Sequence, residues 1–270
     1  MKTCKLLVGG LCVGDTFHFT SLLNRLMDNE GVTQFIWMTG TFARQAVEFM
    51  GRCFPIEPIF LFDTDKPLNI NNIVEFKEVR KKEFEAIEAD LSIDDQNLGF
   101  NFSGVEYDSP ELRFRNLEQF YDPSEPQCLI VHPQSRNNWK NVSALLKIDW
   151  PMFGLPVYTA GAPDEVLIPN TIDFRGKTFV ELAPKVLAAA VVVSIHSAVA
   201  CFTFYTPTNL VTCHPGEGDY LTFSHFKSNA LDILTPPGED IKKPNSVKIV
   251  EAIEYFLNNQ GSQNVPSIGS

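Results

Sequence analysis

Two short stretches of this 270-residue chain combine residue types suited to a charged or hydroxylated ligand. The first is Ser194-Ile195-His196-Ser197, small hydroxyls and an imidazole placed directly after an apolar run and directly before Ala198 to Phe204. A strand ending this way at a helix start is where α/β sheets bind anions. The first N–H groups of the helix have no intrahelical partner, and its dipole favours negative charge. Ser194, His196 and Ser197 are the leading ligand contacts on this reading; the alternative is an ordinary turn with Ser197 as a cap. The second stretch is Gly9-Gly10-Leu11-Cys12-Val13-Gly14-Asp15. Its glycines let backbone approach a ligand, and Asp15 stands at a helix start, where its carboxylate can cap or point into a cleft. The spacing is not GxGxxG, so a dinucleotide fingerprint fits poorly. His18, one turn further on, is expected in packing or at the surface rather than in catalysis.

The elements that would position these residues alternate strand and helix. Lys5 to Val8 reads as a strand, followed by the amphipathic pattern Phe17, Phe19, Leu22, Leu23, Leu26. Gln34 to Met38 is a second strand and Thr41 to Met50 a helix, which gives β-α-β-α and a parallel, doubly wound α/β sheet. A strand at Ile59 to Phe62, a solvated charged helix over Asn71 to Asp90, an irregular strand at Leu98 to Tyr107 and a short helix at Ser109 to Tyr121 complete this half. Asp122-Pro123-Ser124-Glu125-Pro126 is the best linker, since its prolines and polar residues suppress regular structure. The domains are thus expected at 1–122 and 127–257, with 258–270 a frayed tail. Two such domains imply a cleft.

The pattern restarts with a strand at Cys128 to Val131, a polar loop from His132 to Asn141 and a helix from Val142 to Ile148. Pro156 to Thr159 is a strand ending in Ala160-Gly161-Ala162-Pro163. Thr178 and Glu181 have capping-box spacing ahead of an apolar helical stripe, Phe179, Leu182, Val186 and Leu187. Ala189 to Val193, uninterrupted and rich in β-branched side chains, suits a strand buried on both faces. Asn209 to Cys213 is the next strand and Ser246 to Leu257 the last helix.

Composition narrows the function classes. A net charge of −11 argues against a broad, sequence-independent grip on nucleic acid or anionic membrane. No apolar run reaches the roughly 20 residues that span a bilayer. The opening MKTCKLLVGG reads as a first strand rather than a signal peptide, so a cytoplasmic protein is expected. The six cysteines have no CxxC or other metal spacing and are expected as reduced thiols.

Together these pieces resemble the bacterial heptosyltransferases, glycosyltransferase family 9 of the GT-B fold, in four places that keep the family's order and cover most of the chain. GGLCVGDTFHFTSLLNRL is similar to the family's glycine loop, acidic residue and Thr-x-Leu-Leu helix. LIVHPQSRNNWKN is similar to the strand, His-Pro and polar-basic loop that begin its donor domain. YTAGAPDE resembles a strand followed by Gly-Gly and an acidic residue. RGKTFVELAPKVLAAAVVVSIHSAVACFTFYTP resembles the Gly-Lys-Thr helix, buried strand and Asp-Ser-Gly-x-x-His turn. The chain departs where the family has Asp, at Ser194 or, with the loop shifted, His196; the later His falls on Val199. Lys-x-Trp-Pro becomes Asn137-Asn138-Trp139-Lys140, so the cation is Arg136 or Lys140.

The resemblance implies sugar transfer from a nucleotide-diphosphate donor to an acceptor hydroxyl, inverting and without metal or other cofactor. Asp15 would be the base, on an acceptor-side first domain with Gly14 and His18 beside it. Arg136, Lys140 and the Ser197 helix terminus would hold the pyrophosphate, with His132, Asn138, Ser194, His196 and Ala198 also binding substrate. Gly161 and the Gly176-Lys177-Thr178 turn would border the nucleobase. The expected partners are a nucleotide sugar and an acceptor, either a glycan precursor or a hydroxylated DNA base, with no stable membrane insertion. The rivals are a catalytically inactive sugar-nucleotide-binding protein of the same fold and a GT-B-like sugar-nucleotide epimerase.

Overall fold

The structure, a computed structural model, describes residues 1–8, 13–62, 81–94, 102, 105–134, 143–214, 222–234 and 246–259. The chain divides into two compact units, Met1–Phe120 with Thr178–Val180, and Tyr121–Lys177 with Glu181–Ser270.

In the first unit β1 (Thr3–Leu7), α1 (Val13–Phe17), α2 (Phe19–Glu30), β2 (Gln34–Gly40), α3 (Arg44–Cys53), β3 (Ile56–Phe62), a helix α4 at 81–86 and β4 (Leu91–Ile93) follow in order. The strands form one sheet in the order β3-β2-β1-β4, every neighbouring pair parallel. Pro58 lies on β3, at the sheet's edge, where a missing ladder N–H is tolerated. α2 buries Phe19, Leu22 and Leu23 and ends at Gly31, whose positive φ of 66° lets its N–H return to the Leu26 carbonyl. Buried Lys5 on β1 closes α4, its Nζ donating to the Phe84 and Ile87 carbonyls at 2.7 and 2.8 Å.

Several expectations are corrected here. The helix read over Thr41 to Met50 is a 3-10 turn at Thr41–Ala43 followed by α3, which runs on to Cys53. The helix read over Ser109 to Tyr121 is two 3-10 turns, Pro110–Leu112 and Leu117–Phe120, because Asn116 between them is left-handed, with φ of 53°. The strand read within Leu98 to Tyr107 is not found at its described end, 105–107; the strand that completes the sheet is β4, which pairs with β1 through Cys4, Lys5 and Leu6. The rest of that stretch, and most of the charged segment before residue 81, lie outside the described residues, as does the tail from 260.

The second unit contains β5 (Cys128–His132), β6 (Val157–Thr159), β7 (Ile172–Asp173), α5 (Phe179–Ala188) apart from its first two residues, β8 (Ala189–Ile195), α6 (Ala198–Phe204), β9 (Asn209–His214), β10 (Ala230–Leu234) and α7 (Ser246–Asn259). Its six parallel strands run β10-β9-β8-β5-β6-β7. Counted in chain order this is the doubly wound 3-2-1-4-5-6 arrangement, and the first unit is its 3-2-1-4 portion. β5 is buried throughout and β8 in all but its first residue, which explains their unbroken apolar sequence. Leu129, Val131, Val191, Val193 and Val211 share a core with Ile249, Ile253 and Phe256 of α7 and with Trp150, whose indole N–H donates to the Leu145 carbonyl at 3.0 Å. The helix expected over Val142 to Ile148 is a single 3-10 stretch, Ser143–Lys147, stopped short of Trp150-Pro151. β7 and β10 were not anticipated. Both are edge strands, short or half-exposed, and show no alternating pattern.

Candidate functional site

In a doubly wound sheet the chain turns in opposite directions from the first and fourth strands, so the crevice beyond their carboxyl ends is open to ligand. In the second unit those strands are β5 and β8, paired in parallel so that their last partners are His132 and Ser194. Register alone therefore places these two residues, 62 apart in sequence, side by side. Ser194 is fully buried and its hydroxyl donates to the Ile195 carbonyl at 2.7 Å. The chain leaves β8 through Ser197, extended at φ −148° and ψ 179°, into the seven-residue α6. That conformation turns the Ser197 hydroxyl back toward the sheet, 2.8 Å from His132 Nδ1 and 3.1 Å from Ser194 Oγ.

The other face of the same imidazole meets a group that sequence reasoning did not select. Glu165, in the loop after β6, places Oε2 3.0 Å from His132 Nε2 and accepts the Ala162 N–H at 2.9 Å. The side chains of His132 and Glu165 are only 6% and 10% exposed, so solvent does not screen the pair. Gly161 is what permits it. At φ of 141°, a Cβ there would stand 2.2 Å from Glu165 Oε2 and 3.0 Å from His132 Cδ2. The signal available in sequence was an acidic pair, Asp164-Glu165, shortly after Gly161 in the loop that leaves β6.

Ser194, Ser197, His132 and Gly161 are thus brought together, and Ala198 opens α6 directly after them. Gly176, at φ of 76°, donates its N–H to the Gly161 carbonyl at 2.7 Å, which brings the Gly176-Lys177 turn to the same loop. Lys177 itself is exposed and pairs with Glu181 at 3.4 Å, and Thr178 stands immediately before α5. His196 points to a different neighbourhood, its ring stacked on Phe223 at 5.5 Å and tilted against His214 at 5.2 Å. His214, also unselected by sequence reasoning, meets Asp232 at 2.5 Å, and Asp232 accepts the Ser224 N–H at 2.7 Å. Burial opposes ionisation of Asp232, but the His214 bond and charge and the Ser224 N–H outweigh it and lower its pKa. Arg136, Asn138 and Lys140 lie outside the described residues.

In the first unit Gly14 is buried in α1 and Asp15 is half-buried in the middle of that helix, rather than before it as a cap. The His18 N–H donates to the Asp15 carbonyl at 3.1 Å, and its ring packs edge-on against Phe102 at 6.0 Å. His18 is 1% exposed, and burial pushes its pKa down to about 4 against a smaller opposing pull from the Asp15 charge, so the ring is neutral at pH 7. Among the described residues no group of three or more His, Cys, Asp or Glu is arranged to hold a metal ion, and no helix is long and apolar enough to cross a membrane.

No protein-family model and no curated protein matches this chain. Solved structures do. A glycosyl transferase family 9 structure from Veillonella parvula superposes with a TM-score of 0.66 at 11% identity, covering 96% of this chain and 97% of that one. Escherichia coli heptosyltransferase WaaC with ADP gives 0.63 at 13% identity, covering 94% and 99%. E. coli ADP-heptose lipopolysaccharide heptosyltransferase II gives 0.64 at 13% identity, covering 97% and 100%. Identities this low speak to architecture, and over nearly its whole length the chain has the α/β, doubly wound fold of these GT-B glycosyltransferases.

Proposed function

We propose that this protein transfers a sugar from a nucleoside diphosphate sugar to an acceptor hydroxyl, by an inverting reaction that needs no metal. The observation that weighs most is the placement of His132, Ser194 and Ser197 at the switch point of a six-stranded sheet, where such sheets take nucleotides, in a chain that shares its fold with heptosyltransferases. Departure of a nucleoside diphosphate requires donors aimed at developing phosphate charge. The Ser197 hydroxyl and the Ala198 backbone N–H supply them beside the strand ends, with Arg136 or Lys140, a few residues beyond His132, as the cation. Gly161 and the Gly176-Lys177-Thr178 turn border the base. Asp15, the first unit's half-buried carboxylate, is the general base that activates the acceptor hydroxyl. The acceptor is a glycan precursor or a hydroxylated DNA base, with a net charge of −11 weighing toward the glycan.

Titration calorimetry with ADP and other nucleoside diphosphates, followed by assay of nucleoside diphosphate release from the corresponding sugars, tests the proposal. Because one E. coli neighbour was solved with ADP, adenine nucleotides come first. Saturable binding plus acceptor-dependent release is the expected result. Binding without release from any donor would leave a sugar-nucleotide-binding protein, and absence of binding to every nucleoside diphosphate would overturn the proposal.

A further inference from the structure

Ser197, His132 and Glu165 form a hydroxyl–imidazole–carboxylate chain with contacts of 2.8 and 3.0 Å, and sugar transfer makes no use of that continuity. The geometry points to Ser197 as a nucleophile, activated by His132 and oriented through it by Glu165, that can be acylated by small activated carboxylic esters. Triads of this kind are recognised by mutual geometry and roles, whatever their order in the chain.

The proton positions follow from the contacts. Glu165 Oε2 accepts the Ala162 N–H, and a carboxylate accepts only, so the tautomer of a neutral imidazole that suits these contacts has its proton on Nε2, donated to Glu165. Nδ1 is then the basic nitrogen, 2.8 Å from Ser197 Oγ. Relative to most serine hydrolases the two ring nitrogens are exchanged, which leaves the chemistry unchanged, since a neutral imidazole has one donor and one acceptor whichever way it faces. Ser194 cannot substitute for Ser197: its hydroxyl proton is committed to the Ile195 carbonyl, it is fully buried, and it stands 3.4 Å from Nδ1. Ser197 is only half-buried at the junction of β8 and α6, in contrast to Ser194.

In the reaction Ser197 Oγ forms a bond to the ester's carbonyl carbon and passes its proton to His132 Nδ1. The ester's acyl carbon–oxygen bond then breaks, its electron pair going to the departing alkoxide or phenolate oxygen, which takes the proton from His132 Nδ1. Water then attacks the acyl-serine, giving its proton to His132 and, as the Oγ–carbon bond breaks, returning the hydrogen to Ser197. Glu165 stays ionised and holds the ring in the tautomer that leaves Nδ1 basic, so it is a positioning residue.

This inference goes beyond sugar transfer, and its test contains neither nucleotide nor sugar, so the two can fail separately. The full chain is treated with an alkyl fluorophosphonate, which traps activated serines by forming an oxygen–phosphorus bond with loss of fluoride, and the modified residue is located by peptide mass spectrometry. A single adduct on Ser197 of the wild-type protein is expected, absent in Ser197→Ala. The labelling rate should fall about 10²-fold or more in His132→Ala, the range expected for loss of a general base. In Glu165→Gln the rate should fall while recovering at higher pH, a readout that a purely structural loss would not give. The absence of an adduct on Ser197 in wild-type protein with native circular dichroism would overturn the inference, as would labelling of Ser197 at an unchanged rate in a folded His132→Ala.

Discussion

The two units reach the same topological position with opposite histidines. At the first unit's switch region His18 is enclosed by packing, deprived of water and pushed down to about 4, while the nearby carboxylate of Asp15 stays half-exposed. At the second, His132 is equally buried, yet each ring nitrogen faces a polar side chain, Ser197 on one side and Glu165 on the other. Burial away from water disfavours the charged form of the His18 imidazole, whereas placement between a hydroxyl and a carboxylate holds the His132 ring in a fixed orientation. The same order of strands thus carries a half-buried carboxylate in one unit and a connected polar network in the other.

The largest effect should come from the first region. Asp15→Asn keeps size and hydrogen-bonding reach but removes the carboxylate proposed as base, so turnover should drop about 10²- to 10⁴-fold with donor affinity nearly constant. Release of nucleoside diphosphate under saturating donor, beside calorimetric affinity, measures both. Near-normal turnover in the folded variant would remove Asp15 from the mechanism and leave the second region alone with the chemistry.

Gly161→Ala attacks the second region without replacing a polar side chain. Its Cβ would require both a left-handed φ and displacement of Glu165, so we expect a loss of roughly 1–3 kcal/mol. For a chain of this size that is a fall in melting temperature of about 2–4 °C per kcal/mol. The same variant should lose fluorophosphonate labelling, because the clash falls on the carboxylate that orients His132.

His18 gives the comparison a pH signature. A histidine held at about 4 in the fold, against about 6.5 unfolded, binds its proton more readily in the unfolded chain between those values. Stability therefore rises with pH across that window, being complete above about 6.5 and lost as pH falls toward 4. The loss reaches roughly 3 kcal/mol at about 1.4 kcal/mol per pH unit. His18→Phe, which keeps a ring against Phe102, should flatten this limb of the denaturation-versus-pH profile. If the slope between pH 4 and 6.5 is unchanged in that variant, His18 is not the buried neutral group described here.

Much of the architecture could be read from sequence because it rests on local pattern. β5 and β8 are buried on both faces and so appear as unbroken apolar runs, and α2, α6 and α7 keep their helical spacing. The serines at the end of β8 were legible for the same reason, as the first polar residues after such a run. Glu165 was not, since its meeting with His132 depends on β6 lying beside β5, and nothing local marks one carboxylate of an acidic pair. The His214–Asp232 pair was hidden similarly: β10 is a half-exposed edge strand whose sequence, ALDIL, has no clean alternation, and Asp232 is placed by its register with β9. Residues 109–121 misled because their helix-like composition is interrupted by one left-handed Asn116, a backbone choice that composition does not encode.

The smallest effect is expected at Lys177, where it shows how far the second region extends. Its exposed Nζ lies 3.4 Å from Glu181 one helical turn on, a surface pair of the kind that contributes about 0.3–0.5 kcal/mol and is screened by salt. Lys177→Ala should therefore shift the denaturation midpoint by an amount close to measurement error, and less still in high salt. The turn that bears it is nevertheless tied to the site loop by the Gly176 N–H bond to the Gly161 carbonyl. If that turn borders the nucleotide, Lys177→Ala should weaken nucleoside diphosphate binding severalfold at unchanged stability, with the difference fading as ionic strength rises. Equal affinities for wild type and variant at low salt would confine the second region's ligand contacts to the strand ends of β5 and β8, with the Gly176-Lys177 turn acting only as a support for Gly161.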